Sequence, residues 1–538
     1  AKGFMMNVVD KVISVFSPEK ALKRTLARKR IEMADRMLIG GAGYGSHGAS
    51  YAKKSLIGWS VSGQDADDDI VANLPTLRDR SRDLYMGGGF AAGALKTIRT
   101  NVVGSGLMLS ALPDAEFLNL TDDEAREWRK NVEREWNLFA SDVNCDAERR
   151  QNFYQLQSLV LLSALMSGDV FVYMPIIKRD GVTYDLCIGL IEADRVCDPM
   201  PYPVGKNVWG GVELGPYGET VAYYVAKYHP GSTLPLNAKS PIQEWKRVLA
   251  FGRTTGRKNV LHIMCDVERP AQRRGVPLLA PVIEALKQLS RYTEAELMAA
   301  VISGMFTVFV KSNSPSTPLA PMFPAGMEVD KRDPNAYEMG NGAIVSLDEG
   351  EEIQTANPGR PNTAFDGFVM AICRQIGSAI EVPYELLIKH FTASYSAARA
   401  SLLEAWKMFR MRREWLASGF CQPVYEEWLT EAVLKGRVKA PGFFDDPAIR
   451  AAWCKADWYG DAQGQLDPLK EANAAKVRVD EGFSTREREA AELTGMKFDE
   501  IHSARSREEA MRREAGLVTD SQGQIVTNPN TQGGTDDE

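Results

Sequence analysis

The chain has 538 residues, of which 44% are hydrophobic and 25% charged, and this composition is typical of a globular protein with more than one domain. The formal net charge of −7 excludes a generally basic protein that binds nucleic acid tightly through many phosphate contacts. The seven cysteines are scattered without a C-x-x-C motif, which predicts free thiols in a reducing compartment.

Residues 1–60 are predicted to form an N-terminal arm that is partly flexible. A basic stretch at residues 20–36 has helical character, and a glycine- and serine-rich stretch follows it. Within that stretch Gly43, Gly45 and Gly48 have the spacing G-x-G-x-x-G. The strand and helix that a nucleotide-binding loop needs are missing, so we interpret these glycines as part of the arm.

Residues 61–276 are predicted to form an α+β domain. Helical patterns start at residue 74, at Thr121, which is a suitable N-cap, and at Asn152. The strands predicted from alternating or β-branched runs then follow, at residues 170–174, 182–190, 221–226 and 260–264.

Two helical segments then flank an irregular insert. The first helix is predicted at residues 277–304 and the second at 362–382. The insert, residues 305–361, is rich in proline and glycine and contains strand-like runs near both ends. It also carries an acidic run that we interpret as solvated surface, made of Asp348, Glu349, Glu351 and Glu352.

Pro383 is expected to end the second helix, and residues 383–395 show little periodicity and are predicted to form a loop. A long helix is predicted from Ser394 or Ser396 onwards, past Pro423, within the segment 396–463. Its basic cluster is interpreted as a solvated face or a subunit contact, and its members are Arg410, Arg412 and Arg413. Charged helices at 464–520 and a disordered acidic tail at 521–538 complete the chain.

The sequence contains none of the common motifs for catalysis or cofactor binding. The sequence has no phosphate-binding G-x-x-x-x-G-K-[ST] loop and no G-x-S-x-G nucleophile turn. His262 and Cys265 could bind a metal, but no second pair of ligands is evident. We therefore predict a protein that is not an enzyme and holds no metal or cofactor. No signal peptide is predicted, because Asp10 and Lys11 interrupt the apolar stretch at residues 4–16. No membrane span is predicted either, because the longest apolar run, residues 297–310, is too short for one.

A set of short segments carries a resemblance to a known family, and the order of these segments is more specific than any one of them. The set is Arg80-Ser81-Arg82-Asp83-Leu84-Tyr85, Asn101-Val102-Val103-Gly104-Ser105-Gly106-Leu107, Gly168-Asp169-Val170-Phe171-Val172, Ile191-Glu192-Ala193-Asp194-Arg195, Glu268-Arg269-Pro270, Arg274-Gly275-Val276-Pro277, Val382-Pro383-Tyr384-Glu385-Leu386-Leu387, Ser394-Tyr395-Ser396-Ala397-Ala398-Arg399-Ala400, Asp467-Pro468-Leu469-Lys470-Glu471 and Glu481-Gly482-Phe483-Ser484-Thr485. In this order the chain resembles the portal proteins of tailed bacteriophages, in the lambda-type branch.

The resemblance implies a portal fold and a ring, usually of twelve subunits, at one capsid vertex. Double-stranded DNA would pass through the central channel during packaging and ejection. The segments would then be named as follows: wing (61–276, to which 396–463 returns), first stem helix (277–304), clip (305–361), second stem helix (362–382), tunnel loop (383–395) and crown (464–520).

The resemblance also implies partners and a location. The clip would dock the large terminase subunit during packaging, and head-completion or adaptor proteins and tail proteins afterwards. Contact with the major capsid protein or a scaffold is expected too. The ring would be assembled in the host cytoplasm and would become part of the virion.

The residues nearest to DNA would lie in the tunnel loop, namely Pro383, Tyr384, Glu385, Leu386, Leu387, Ile388, Phe391, Thr392, Ser394 and Tyr395. The family tends to carry an acidic or polar residue where this chain has Ile388-Lys389-His390-Phe391. DNA that slides through a channel cannot be bound tightly at many phosphates, so a net acidic ring should direct few basic residues inwards. We predict that these few positive charges come from Lys287, Arg291, Lys389 and His390. Pairing between subunits is an equally good interpretation of Lys287 and Arg291.

Two other functions remain open from the sequence. One is a different head–tail adaptor ring, although such adaptors are generally far shorter. The other is an enzyme of the packaging machinery, a nuclease or an ATPase, although the chain lacks a phosphate-binding loop and a cluster of metal ligands.

Overall fold

Helices and short strands alternate through the chain, in agreement with the predicted α+β class. The computed structural model describes residues 63–232, 243–304, 308–311, 344–347, 364–390, 395–462, 468–495 and 498–515, with residue 517 and scattered residues between 20 and 61. Contacts divide the chain into two units. The first contains residues 1–73 and 269–273, and the second contains residues 74–268 and 274–538.

The first unit contains the short helix α1 (Ala66–Val71). The side chain of Asp65 caps it by accepting a hydrogen bond from the backbone N–H of Asp68. Arg273 donates to the nearly buried carboxylate of Asp67 at 2.5 Å. The residues 269–273 therefore hold α1 by ionic contacts.

The second unit contains most of the secondary structure. Its helices are α2 (Leu74–Gly87), α3 (Gly89–Val102), α4 (Asp122–Ala140), α5 (Phe153–Ser167), α6 (Ile283–Gly304), α7 (Phe365–Ala379), α8 (Tyr384–Ile388), α9 (Tyr395–Leu416), α10 (Gln422–Leu434), α11 (Pro447–Trp453), α12 (Pro468–Asp480), α13 (Arg486–Thr494) and α14 (Phe498–Glu514). Short 3-10 helices lie at Val143–Cys145, Ala193–Arg195 and Ala280–Val282, and a π-helical turn at Ala417–Cys421 joins α9 to α10. The strands are β1 (Met108–Ala111), β2 (Asp169–Tyr173), β3 (Gly189–Ile191), β4 (Asn207–Trp209), β5 (Val212–Leu214), β6 (Thr220–Ala226), β7 (Trp245–Leu249), β8 (Val260–Met264), β9 (Val308–Lys311), β10 (Ile344–Leu347) and β11 (Ala456–Tyr459).

Within the described residues, the strands form four small sheets. Three of them are antiparallel, with the strand orders β1-β11, β3-β2-β8 and β4-β5-β6-β7. The fourth is the parallel pair of β9 and β10, in which Val308 lies beside Ile344. This last pair joins two segments within the predicted insert, residues 308–311 and 344–347.

The main core is built around Trp136, which is almost fully buried on α4. Phe153 of α5 and Trp428 of α10 meet its ring edge to face, with centroids 5.0 and 5.2 Å away. The helix itself starts at the predicted residue, because Thr121 and Glu124 form a complete capping box. The N-cap and apolar stripe that the sequence shows therefore place α4 correctly.

One predicted strand is wrong. Within residues 182–190 the structure has strand only from Gly189 onwards, together with isolated bridges. The reason is a distant side chain, because the carboxylate of Glu431 accepts from the backbone N–H groups of Asp185 and Leu186 at 2.6 and 2.9 Å. In the part of the chain that is described, no helix is both long and apolar enough to cross a membrane.

Candidate functional site

The helices α6 and α7, which correspond to the predicted stem, pack together through aromatic side chains. The ring of Tyr292 stacks on Phe365 with centroids 5.5 Å apart and meets Phe368 edge to face at 4.9 Å. The helical part of the first stem segment starts later than predicted, at Ile283, because Ala280–Val282 forms a 3-10 turn. The second stem helix is shorter than predicted and ends at Ala379.

A tight bend joins α7 to α8. The backbone N–H of Val382 donates to the carbonyl of Gly377 at 2.9 Å, and a Cβ on Gly377 would lie 2.4 Å from the oxygen of Val382. Glycine is therefore required at this position. Between them Glu381 has a φ of 59°, a left-handed conformation that costs an L-residue about 1 kcal/mol.

The predicted tunnel loop is partly helical, which corrects the sequence interpretation. Tyr384–Ile388 forms α8, and within it Glu385 and Leu387 are buried. The ring of Tyr384 also lies under the guanidinium of Arg374, 4.8 Å from ring centroid to Cζ. The side chains of Glu385 and Leu387 therefore pack inside the subunit, and the prediction that this segment lies near DNA stays a prediction.

The remaining tunnel-loop residues are placed as follows. Pro383, Leu386 and Ile388 are half-buried, and Tyr395 is the first residue of α9. Other predicted positions lie outside the described residues, namely Phe391, Thr392, Ser394 and the acidic clip residues Asp348, Glu349, Glu351 and Glu352. The roles predicted for these positions stay predictions.

The four predicted channel cations differ in their surroundings. Lys287 has an acidic neighbour within its own chain, since its Nζ lies 3.5 Å from the carboxylate of Asp83. Arg291, Lys389 and His390 are exposed, and within the described part of the chain their side chains make no ion pair. Lys389 has a φ of 53° and ends α8 as its left-handed C-cap.

The basic cluster on α9 is not a uniform solvated face. Arg410 is exposed, but Arg412 is buried. Arg413 donates to the carbonyl oxygens of Val102 and Asn101 at 3.0 Å and so caps the last turn of α3. Two of the three arginines therefore serve contacts inside the subunit.

A buried ionic centre at Asp169 was missed by the sequence interpretation. Asp169 is fully buried at the start of β2, and its carboxylate accepts from Arg274 Nε at 2.6 Å and from Arg78 Nη2 at 2.9 Å. His262 Nε2 lies 3.1 Å away, and the backbone N–H of Gly275 donates at 3.1 Å. Burial alone would raise the pKa of Asp169, but Arg274 and Arg78 outweigh it and hold that pKa well below its usual range.

Arg274 makes further hydrogen bonds besides those to Asp169. Its guanidinium also donates to three backbone oxygens at 2.5–2.7 Å, those of Val196, Gly210 and Ala193. Asp169 follows Gly168, and Arg274 precedes Gly275. The two glycines lie against each other, because a Cβ on Gly275 would lie 1.9 Å from the oxygen of Gly168. The pairs Gly168-Asp169 and Arg274-Gly275 were the available signal in the sequence.

A second ionic group lies beside this centre. Glu192, Asp194 and His229 have ligand atoms within 4.8 Å of one another, as a metal site would. However, Arg82 already donates to Asp194, and His229 Nδ1 accepts from the backbone N–H of Gly231 at 3.0 Å. The other ring nitrogen of His229, Nε2, lies 3.8 Å from the carboxylate of Glu192 and 3.6 Å from that of Asp194, so both ring nitrogens already have polar neighbours and we assign no metal to the cluster.

His262 and Cys265, the other predicted metal candidates, are both engaged elsewhere. The imidazole of His262 stacks on Phe171 with centroids 4.2 Å apart, and burial lowers its pKa. The thiol of Cys265 lies 3.4 Å from Arg412 Nη1, and burial raises its pKa to about 12. Each residue is therefore part of the packing around β8.

Comparison with known proteins gives consistent results. The family described as "Phage portal protein, lambda family" matches residues 53–413. The chain is 26% identical to Portal protein B of Escherichia phage lambda over 495 residues, which are 88% of this chain and 91% of that protein. It is 27% identical to the portal protein of Escherichia phage N15 over 497 residues, with the same coverage of each.

Among solved structures, the chain is similar to one from the neck of a native GTA particle computed with C12 symmetry. The identity is 14%, the coverage is 78% of this chain and 92% of that chain, and the TM-score is 0.36. Because that TM-score is below 0.5, the family assignment is based on the sequence matches alone. The family match covers well over half of the chain, and the chain therefore belongs to the lambda family of phage portal proteins.

Proposed function

We propose that this chain assembles into a closed ring, expected to have twelve subunits, at one vertex of a phage capsid. Double-stranded DNA passes through the ring during packaging and ejection. The observation that carries the proposal is the match to the lambda portal family across residues 53–413. The match over 91% of two portal proteins also favours a portal protein over a short adaptor ring.

Exposed apolar surface on the stem helices supports assembly. On α6 the side chains of Leu297, Met298 and Val301 are 43–65% exposed, and Phe368 on α7 is 48% exposed. After Glu296 the described part of α6 has no charged residue. A helical surface of this kind marks a protein contact, and in a ring each subunit offers two different faces to its neighbours.

Electron microscopy of the purified full-length protein tests this proposal. The expected images show closed rings with a central opening wide enough for a DNA duplex. Native mass spectrometry of the same sample would give the number of subunits. A monomer that persists at micromolar concentration would contradict the proposal.

We place the sparse positive charge of the channel at Arg291, Lys389 and His390. All three are exposed and have no ion-pair partner within the described part of the chain. A few separated cations would attract the phosphate backbone without the many simultaneous contacts that make binding tight. Lys287 is a weaker candidate, because Asp83 lies within 3.5 Å of it.

Charge reversal at Arg291 and Lys389 is expected to reduce the DNA packaged per particle several-fold while rings still form. The reason is that acidic side chains in the channel would repel the phosphates. The measurement is nuclease-protected DNA in a packaging reaction. The matched control reverses Arg126 and Lys130 on the exposed face of α4, and it should package normally. Normal packaging by the Arg291/Lys389 variant would refute this placement.

We also propose that the clip insert docks the large terminase subunit and later the head-completion, adaptor and tail proteins. The parallel pairing of β9 and β10 supports this, because it gives the insert structure of its own by joining residues 308–311 to residues 344–347. The wing would contact the major capsid protein or a scaffold. We assign no catalytic role to the chain, and the motor that moves DNA is then supplied by a partner.

A further inference from the structure

The bend between α7 and α8 is packed on its inner side and open on its outer side. Val382 is fully buried, whereas the carboxylate of the preceding residue, Glu381, is 59% exposed. Glu381 has a left-handed backbone conformation, which glycine and asparagine adopt more readily than glutamate does. A glutamate in this conformation points to a use for its carboxylate.

Beneath the bend lies Arg412 of α9, a buried cation with unusually weak partners. Its side chain is only 4% exposed. Its Nη1 lies 3.4 Å from the thiol sulfur of Cys265, its Nη2 lies 3.3 Å from the carboxylate of Asp266, and its buried Nε has no hydrogen-bond partner. Arg274, by contrast, makes short bonds through all three nitrogens. Of these two buried guanidinium groups, Arg412 therefore has the fewer and longer hydrogen bonds.

Two carboxylates from different elements approach the same nitrogen of Arg412. Asp266, just after β8, lies 3.3 Å from Nη2, and Glu381, in the bend, lies 4.0 Å from it. A distance of 4.0 Å is too long for a hydrogen bond, and a charge-assisted bond needs about 2.8 Å. A shift of Glu381 by about 1 Å would complete that bond.

We propose that Arg412, Asp266 and Glu381 form a two-position latch that sets the α7–α8 bend. In the position seen here Arg412 bonds to Asp266 and leaves Glu381 at a distance. In the second position Glu381 moves onto Arg412 and draws the bend against α9 and β8. Arg412 is a positioning residue, because it acts on the bend and on the exposed Lys389 and His390 that follow α8.

Hydrogen exchange at the amides of residues 382–390 tests the latch in the full-length protein. In the Asp266→Asn variant Arg412 loses the negative charge of its nearer carboxylate, so the charged Glu381 is expected to engage it. Exchange across the bend should then slow about 5- to 10-fold. Adding Glu381→Gln to that variant should restore the original rate. Glu381→Gln alone should change little, because Asp266 still holds Arg412.

Two comparisons separate a latch from a merely structural role for Arg412. Amides of β2 report the global stability of the fold and should not change. Glu404→Gln is the matched control, since Glu404 is an exposed carboxylate on α9 that pairs with Lys407 at 2.7 Å. Unchanged or faster exchange at the bend in Asp266→Asn would overturn the proposal, and so would a slowing that Glu381→Gln does not reverse.

The latch is defined within one subunit, but its effect on a DNA channel rests on the proposed function. The two can fail separately. If the protein forms rings in the electron microscope but hydrogen exchange at the bend is unchanged in the Asp266→Asn variant, the latch is rejected and the portal assembly is supported. If Asp266→Asn slows exchange and Glu381→Gln reverses the effect, but the protein forms no rings, the latch is supported and the assembly is rejected.

Discussion

Replacement of Asp169 by asparagine is expected to lower the free energy of unfolding by about 3–5 kcal/mol. The carboxylate of Asp169 is completely buried and pairs with Arg78 and Arg274, which are themselves buried. Asparagine keeps the shape of the side chain but removes its charge, so Arg274 and Arg78 lose the carboxylate that both contact, and Arg78 keeps Asp194 only at 3.6 Å. Removing one partner of a buried pair costs more than the pair contributes, because the remaining charge stays desolvated.

Urea unfolding followed by tryptophan fluorescence would measure this loss. The control is Glu492→Gln, which removes an exposed pair with Arg488 at 3.3 Å and should change stability by less than about 0.5 kcal/mol. Because the pKa of Asp169 is lowered in the folded state, its contribution is present above the unfolded pKa of about 3.9 and is lost only as the pH falls further. The difference between wild type and variant should therefore be constant between about pH 6 and 8. A loss below about 1 kcal/mol would show that the centre contributes little.

The comparison of sequence and structure shows where local patterns suffice. The start of α4 is set by Thr121 and Glu124, which are three residues apart, and the start of α5 by Asn152 and Gln155. In both cases the capping partners lie within one helical turn, so the sequence contains the whole interaction. Strand β8 is likewise visible as a run of apolar residues.

Long-range contacts explain the predictions that were wrong. Asp169 meets Arg274 across 105 residues of sequence and Arg78 across 91, so no local pattern joins them. The helix α8 follows a proline and has only five residues, which is too short for a periodic pattern. Its position is decided by burial of Leu387 in the core. The exposure of Lys389 and His390, which follow α8, could be predicted, but the burial of Glu385 and Leu387 could not.

The surface that holds the subunits together is the feature on which the proposed ring depends most. Replacing Leu297 and Val301 on α6 with glutamate is expected to prevent ring formation. These residues are one helical turn apart and 65% and 43% exposed, so the isolated subunit should fold normally. At a subunit contact, each interface would bury two carboxylates without partners, which should weaken association by at least about 100-fold.

Sedimentation velocity at micromolar concentration would detect the change from ring to free subunit, and circular dichroism would confirm that the subunit is folded. The matched control places glutamate at Leu138 on α4 and at Leu434 on α10, which are 50% and 70% exposed. If these positions are not at a subunit contact, the control should form rings as wild type does. Rings of normal size from the Leu297/Val301 variant would show that this face of α6 points into the channel or into solvent. The apolar surface that neighbouring subunits cover would then have to lie on another element, because exposed apolar side chains on α6 would no longer account for assembly.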